Sequence, residues 1–231
     1  MKRSALIVYG GWEGHDPKGV AAFFAELLDR EGFTVSLENT LDVFCDEARL
    51  LAQDLIIPVW TMGTIRPEQL GPLCAAVEKG VGLAGCHGGM CDAFREATEY
   101  HFLTGGQWVA HPGNDGVTYH VRITDNAHYI TAGIPDFTVR SEQYYMHVDP
   151  SNRVLAVTPM PVAAGPHVTN GPFEMPVVWT RMYGQGRVFY TSLGHTVDVL
   201  RVAEATEICR RGLLWAARAD QPSGTTAGGI R

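Results

Sequence analysis

Val81-Gly82-Leu83-Ala84-Gly85-Cys86-His87-Gly88-Gly89 is the stretch that decides the fold. Val81 to Gly85 is a short apolar run and reads as a strand buried on both faces. Gly85-x-His87-x-Gly89 then has the spacing of a nucleophile elbow, in which flanking glycines permit a sharp turn from strand to helix. The central residue of such a turn projects above the sheet beside the next helix N-terminus. Here that residue is His87, and Cys86 stands one position off.

The units upstream repeat the same plan. Ala5-Leu6-Ile7-Val8-Tyr9 is a continuous apolar strand closed by Gly10-Gly11. Asp16 and Pro17 then suit the N-cap and first position of a helix. Val20, Phe23, Phe24, Leu27 and Leu28 form one apolar helical stripe, and Gly32 ends it. Strands are expected over 33–37 and 54–60, with a helix between 60 and 80 carrying Leu70, Leu73, Cys74 and Val77. Strands alternating with helices call for a parallel sheet with right-handed crossovers.

Downstream the pattern changes. Segments 116–124, 136–140, 153–158, 176–182 and 186–192 are strand-like, with Gly184-Gln185-Gly186 as a turn between the last two. They read as antiparallel additions to the sheet edge. A final helix is expected from Asp198 to Arg218. No linker divides the chain, so 1–219 is expected to be a single α/β domain. The remainder, 220–231, is rich in Gly, Ser and Thr and is expected to be a disordered tail.

Composition narrows the function. The chain has 231 residues, 45% of them hydrophobic, and a net charge of −7. That is enough to bury a sizeable core. It also lacks the basic face that nucleic acid requires. The apolar run at Ala5–Tyr9 is too short for a signal-peptide core or a membrane span, so the expected location is the cytoplasm. The five cysteines are odd in number and show no CxxC pair, which argues against a disulfide framework or a zinc knuckle.

Ligands of open parallel sheets bind outside the carboxyl ends of the strands. Four glycine-bearing loops leave such ends: Gly10–Asp16, Thr61–Thr64, Gly85–Gly89 and Ser192–His195. Three of them carry a histidine, at His15, His87 and His195.

These loops, with others, resemble the ThuA-like (trehalose utilisation) family. The matching stretches are Gly10-Gly11-Trp12-Glu13-Gly14-His15, Gly85-Cys86-His87-Gly88-Gly89, Gly105-Gly106-Gln107-Trp108-Val109-Ala110-His111-Pro112, Ser141-Glu142-Gln143-Tyr144, and Gly186–Tyr190 through Gly194-His195. They span residues 5–217. The resemblance implies a flavodoxin-like three-layer sandwich, similar to class I glutamine amidotransferases, with its site at the elbow. Two departures from amidotransferases stand out. His87 occupies the position of their nucleophilic cysteine, and Thr196-Val197 follows the late histidine where they carry a glutamate two residues on. Glutamine hydrolysis through a thiolate is therefore not expected. The family is linked to sugar catabolism, including oxidised (3-keto) sugars.

Two chemistries suit the histidines. His15, His87 and His195 can ligate a divalent metal, zinc first. Alternatively, His87 and His195 act as general acid and base with Glu142. His147 is a further candidate ligand or base. Trp12, Trp108, His111, Tyr144 and His147 are candidates for substrate contact. The expected activity is that of a metal-assisted hydrolase or lyase on a sugar-derived small molecule, with no nucleotide cofactor. The expected partner is that small molecule, with neither nucleic acid nor membrane, and a homo-oligomer stays open. The alternative is a binding module that keeps the pocket without catalysis. A thiol-dependent hydrolase using Cys86 is a third option. His101, His120, His128 and His167 are expected at the surface.

Overall fold

The computed structural model describes residues 2–219. The segment 220–231, expected to be disordered, lies outside the described residues.

Five strands form the parallel half of a nine-stranded sheet: β1 (Ser4–Gly11), β2 (Thr34–Glu38), β3 (Leu55–Thr61), β4 (Gly82–Cys86) and β11 (Gly186–Thr191). Their order is β2-β1-β3-β4-β11, every neighbouring pair parallel. The sheet continues antiparallel through β10 (Phe173–Tyr183), β9 (Arg153–Met160), β6 (Val117–Ile123) and β7 (Phe137–Ser141). The late strands are therefore not all antiparallel additions. β11 lies in the middle of the sheet beside β4, with Thr191 opposite Cys86. That placement points the chain after β11 out over the same edge as the elbow.

Helices cover both faces. Against one face pack α1 (Pro17–Arg30) and α7 (Ala203–Ala216), burying Phe24, Leu28, Ile208 and Leu213 against Ile7, Ile57 and Phe189. The other face carries α2 (Glu47–Leu51), α3 (Pro67–Glu78) and α5 (Thr98–Thr104), with Leu50, Leu73 and Leu103 against Leu6, Ile56 and Tyr190. Burying such side chains is worth about 1.5–3 kcal/mol each. The result is the expected three-layer α/β sandwich. Asp16 caps α1 as expected, its carboxylate accepting from the Gly19 amide at 3.0 Å with Pro17 following.

One local detail differs from expectation, and two more have no counterpart in the sequence reading. The C-terminal helix is split into α6 (Val197–Leu200) and α7, because Val202 is extended and the Thr206 hydroxyl donates to the Leu200 carbonyl. A two-stranded sheet pairs β5 (Gly106–Ala110) with β8 (Tyr145–Val148). The elbow helix α4 (His87–Cys91) is a little over one turn long. Among the described residues no helix is long and apolar enough to cross a membrane. All five cysteines are free, and only Cys45 is exposed.

Candidate functional site

The elbow folds as its spacing requires. β4 ends at Cys86, and His87 turns the chain into α4 with a φ of +46°, a left-handed conformation that costs an ordinary residue energy. Gly88 follows for a steric reason. A Cβ there would lie 2.5 Å from Nδ1 of His15, so glycine allows the His15 ring to close on the elbow. His15 ends a single 3₁₀ turn (Glu13–His15) between β1 and the Asp16 cap. His195 follows Gly194 in the loop after β11.

The carboxylate comes from elsewhere. Glu142 leaves β7, the far edge strand, and the segment crosses back towards the elbow before β8. Three bonds pin that crossing. Tyr119 donates its hydroxyl to the Glu142 carbonyl at 3.1 Å, and Gln143 donates Nε2 to the Thr158 hydroxyl at 2.8 Å and to the Pro159 carbonyl.

Around Oε2 of Glu142 lie His87 Nε2 at 3.2 Å, His195 Nδ1 at 3.4 Å and His15 Nε2 at 3.7 Å. One donor atom from each of the four residues falls within 4.8 Å of the others, so the group could hold a metal ion. A fourth imidazole, His111, faces the other oxygen, with Nε2 3.9 Å from Oε1. His15, His87 and Glu142 are buried, whereas His195 is partly open to solvent. The expectation that positions 15, 87, 142 and 195 share one place at the sheet edge describes what the structure brings together.

Hydrogen bonds settle the orientation of His87. Its Nδ1 lies 2.9 Å from the Ser192 carbonyl, which can only accept, so Nδ1 carries the proton. In the neutral ring Nε2 is then a lone pair aimed at a carboxylate oxygen. Burial pushes the His87 pKa down to about 4, against the opposing pull of Glu142. Burial would also push the Glu142 carboxyl up. The His15 and His195 rings outweigh that and hold it well below the usual carboxylate range. The Glu142 carboxylate facing His195 raises the pKa of that imidazole, partly offset by burial. His15 is steered by the Thr61 hydroxyl, 3.0 Å from its Nδ1.

The expected contact residues divide. Tyr144 stacks on the His87 ring at 3.9 Å between centroids and 26° between planes, which fixes that imidazole from the side. Trp12 stands at the rim, largely exposed, with its ring edge-on to His15 at 4.7 Å. Trp108 lies 5.5 Å from His111 and 6.3 Å from Tyr144. His147 is not brought into the group. It is exposed on β8, while its neighbour Met146 points inward to the Tyr190 hydroxyl; alternation along the strand turns His147 away. His128 is a correction of another kind. It is buried, receiving the Ile130 amide on Nδ1 and packing 5.7 Å from Trp215, because the Asp125 carboxylate folds the local turn inward. His120 is exposed, and His101 and His167 are half-buried.

Cys86 has no nucleophilic setting. Its side chain belongs to the core beneath α1 and α7, and burial raises its thiol pKa well above the ordinary value. Sequence reasoning passed over Thr61 and Ser192, which orient His15 and His87. The glycine-rich strand-end loops containing them were the available signal. It also passed over Arg95, which lies over the Trp108 ring at 4.5 Å and is held by two bonds to buried Asp92.

Comparison with known proteins agrees with this architecture. A ThuA-like protein from Parabacteroides merdae superposes with a TM-score of 0.74 at 18% identity, covering 100% of this chain and 93% of that one. Another, from Bacteroides uniformis, also gives 0.74 at 18% identity over 93% and 91% of the two chains. A β-galactosidase from Bacillus circulans sp. alkalophilus contains a similar fold in 31% of its length, with a TM-score of 0.61 at 12% identity. No curated protein matches the chain in sequence. The family model ThuA, described as trehalose utilisation, matches residues 4–216. The chain therefore belongs to the ThuA family.

Proposed function

We propose that this protein binds one divalent metal ion, zinc in first place, through His15, His87, His195 and Glu142, and uses that centre on a sugar-derived small molecule. One observation carries the reading: the His87 Nε2 lone pair and the Glu142 carboxylate are both acceptors and face each other at 3.2 Å. Two acceptors so placed repel unless a cation or a proton lies between them. Burial disfavours the proton on His87. Metal–ligand bonds of 2.0–2.1 Å at tetrahedral angles put ligand atoms about 3.3–3.4 Å apart. The spacings of 3.2, 3.4 and 3.7 Å around Oε2 bracket that value. Three neutral imidazoles and one carboxylate also leave a divalent ion with net positive charge, as Lewis acidity requires.

A bound ion, taking a carbonyl or hydroxyl oxygen of the substrate as a fifth ligand, would polarise that oxygen. The chain's own residues supply the rest. The Ser192 carbonyl and the Tyr144 ring hold His87 in one tautomer and one plane. Thr61 does the same for His15. His195, on the open side, also faces Asp115, with Nε2 3.9 Å from its carboxylate. Beside them lies a cavity of about 430 Å³ whose walls include Arg140, Asp115 and Asp198. Such a mixture of donors and acceptors suits a polyhydroxylated ligand. The trehalose-utilisation description of the family supports a sugar-derived substrate.

Elemental analysis tests the reading. After exposure to zinc and exhaustive dialysis, the wild-type chain is expected to retain about one ion, and the His15→Ala/His195→Ala double variant almost none. Equal, trace zinc in both proteins would overturn the proposal.

A further inference from the structure

A second cavity, of about 470 Å³, adjoins the cluster on the His111 side. It lies between the loop after β5 and the segment holding Pro166 and His167, and falls within the size range of small-molecule sites. Its walls differ in kind from those beside His195. Val109, Ala110, Pro112, Tyr145, His111 and His167 dominate, and no Asp, Glu, Lys or Arg lines it. The Tyr145 ring is fixed edge-on by Phe173 at 5.6 Å and by His167 at 5.9 Å.

Two polar atoms here lack partners. Nδ1 of His111 and Nε2 of His167 are both buried without a hydrogen bond. A buried polar nitrogen left unpaired costs free energy, so a turn of either ring that brings its nitrogen into the cavity and onto a ligand hydroxyl would be favoured. His111 also connects this cavity to the centre, because its Nε2 faces Oε1 of Glu142. A ligand here meets apolar and aromatic walls with few hydrogen-bonding groups. A sugar ring, which carries hydroxyls around its whole edge, would leave most of them unpaired. A flat ring with a single hydroxyl would not.

We propose that this cavity is a subsite for an uncharged aromatic ring of the phenol class, packed against Tyr145, with its oxygen reaching His111 or His167. In a substrate, that ring would be an aryl group attached to the part processed at the neighbouring centre. This last role rests on the metal-centre reading. The affinity of the cavity for the ring does not.

Calorimetric titration of the full chain with 4-methylphenol tests the proposal, with methyl glucoside as the comparison probe and each titration repeated after EDTA treatment. Saturable binding of about one 4-methylphenol per chain is expected, and any methyl glucoside binding should be the same in the Tyr145 and His167 variants as in wild type, because a sugar belongs in the polar cavity beside His195. Tyr145→Ala and His167→Ala should each weaken 4-methylphenol binding by about five- to tenfold, Tyr145→Phe should retain it, and EDTA should leave it unchanged. His167 lies in a half-exposed segment, so its variant keeps the test open if Tyr145→Ala does not fold. Absent 4-methylphenol binding, binding indifferent to both alanine variants, or methyl glucoside binding that both alanine variants weaken would overturn the subsite. Zinc retained without 4-methylphenol binding would remove the subsite alone. Phenol binding without zinc would support the subsite while removing the metal centre.

Discussion

The two halves of the sheet contribute to the cluster in different ways. The parallel half supplies His15, His87 and His195, each from a glycine-bearing loop at a strand's carboxyl end and each within a few residues of that strand. The antiparallel half supplies Glu142, and with it Tyr144, from a segment that crosses back from the far edge strand. Imidazoles delivered by strand ends are held by the sheet itself. The carboxylate is held by side-chain bonds from Tyr119 and Gln143, which lie outside the parallel half. If both halves form one centre, damage to either should disable it, but through different supports.

The largest effect is expected from removing one donor from each half. His87→Ala and Glu142→Gln should each weaken zinc binding by at least about 100-fold in competition with a chromogenic chelator. Loss confined to His87→Ala would break the comparison, because Glu142 would then be a neighbour of the centre and not a ligand.

Gly88→Ala is the next test, and it concerns the parallel half alone. The added Cβ would meet the His15 ring at 2.5 Å, so the ring must move. A stability loss of about 1–3 kcal/mol in urea unfolding is expected, together with zinc binding weakened by about tenfold or more. Unchanged zinc affinity would show that His15 is not held where the structure places it.

Tyr119→Phe probes the support of the antiparallel half with little change of shape. Losing the bond to the Glu142 carbonyl should cost about 1 kcal/mol of stability and a few-fold in zinc affinity, smaller than the Gly88→Ala effect. An effect as large as that of Glu142→Gln would mean that this single bond holds the carboxylate in place.

Glu207 on α7 offers the smallest effect, far from the centre. Hydrogen bonds from Arg210, opposed by burial and joined by Arg211, pull its pKa from 4.5 to about 2. A depressed folded-state pKa stabilises above the unfolded value, and the stabilisation is lost as pH falls through the folded value. Wild type should therefore exceed Glu207→Gln by at most about 1 kcal/mol near neutral pH, with the gap closing between pH 4.5 and 2. A gap independent of pH would assign the effect to packing, and zinc binding should not change in either case.

The amino-acid sequence alone located the first four strands of the parallel half. β1, β3 and β4 are apolar runs and β2 alternates, the first helix carries a single apolar stripe behind an Asp-Pro start, and glycines mark the turns, all of which are local properties of the chain. The same local signals located His15, His87 and His195 on strand-end loops. Tertiary structure alone decided three other matters. β11 lies inside the sheet parallel to β4, although the chain reaches it through a long antiparallel excursion. β5 and β8 pair across more than thirty intervening residues with no turn between them to announce it. His147 faces away because alternation along β8 turns it to the solvent side, whereas His111, just past the end of β5, reaches Glu142. Periodicity and turn chemistry act over a few residues, so they fix elements and their ends. Which distant elements meet, and which lone pairs then face one another, depends on packing of the whole chain.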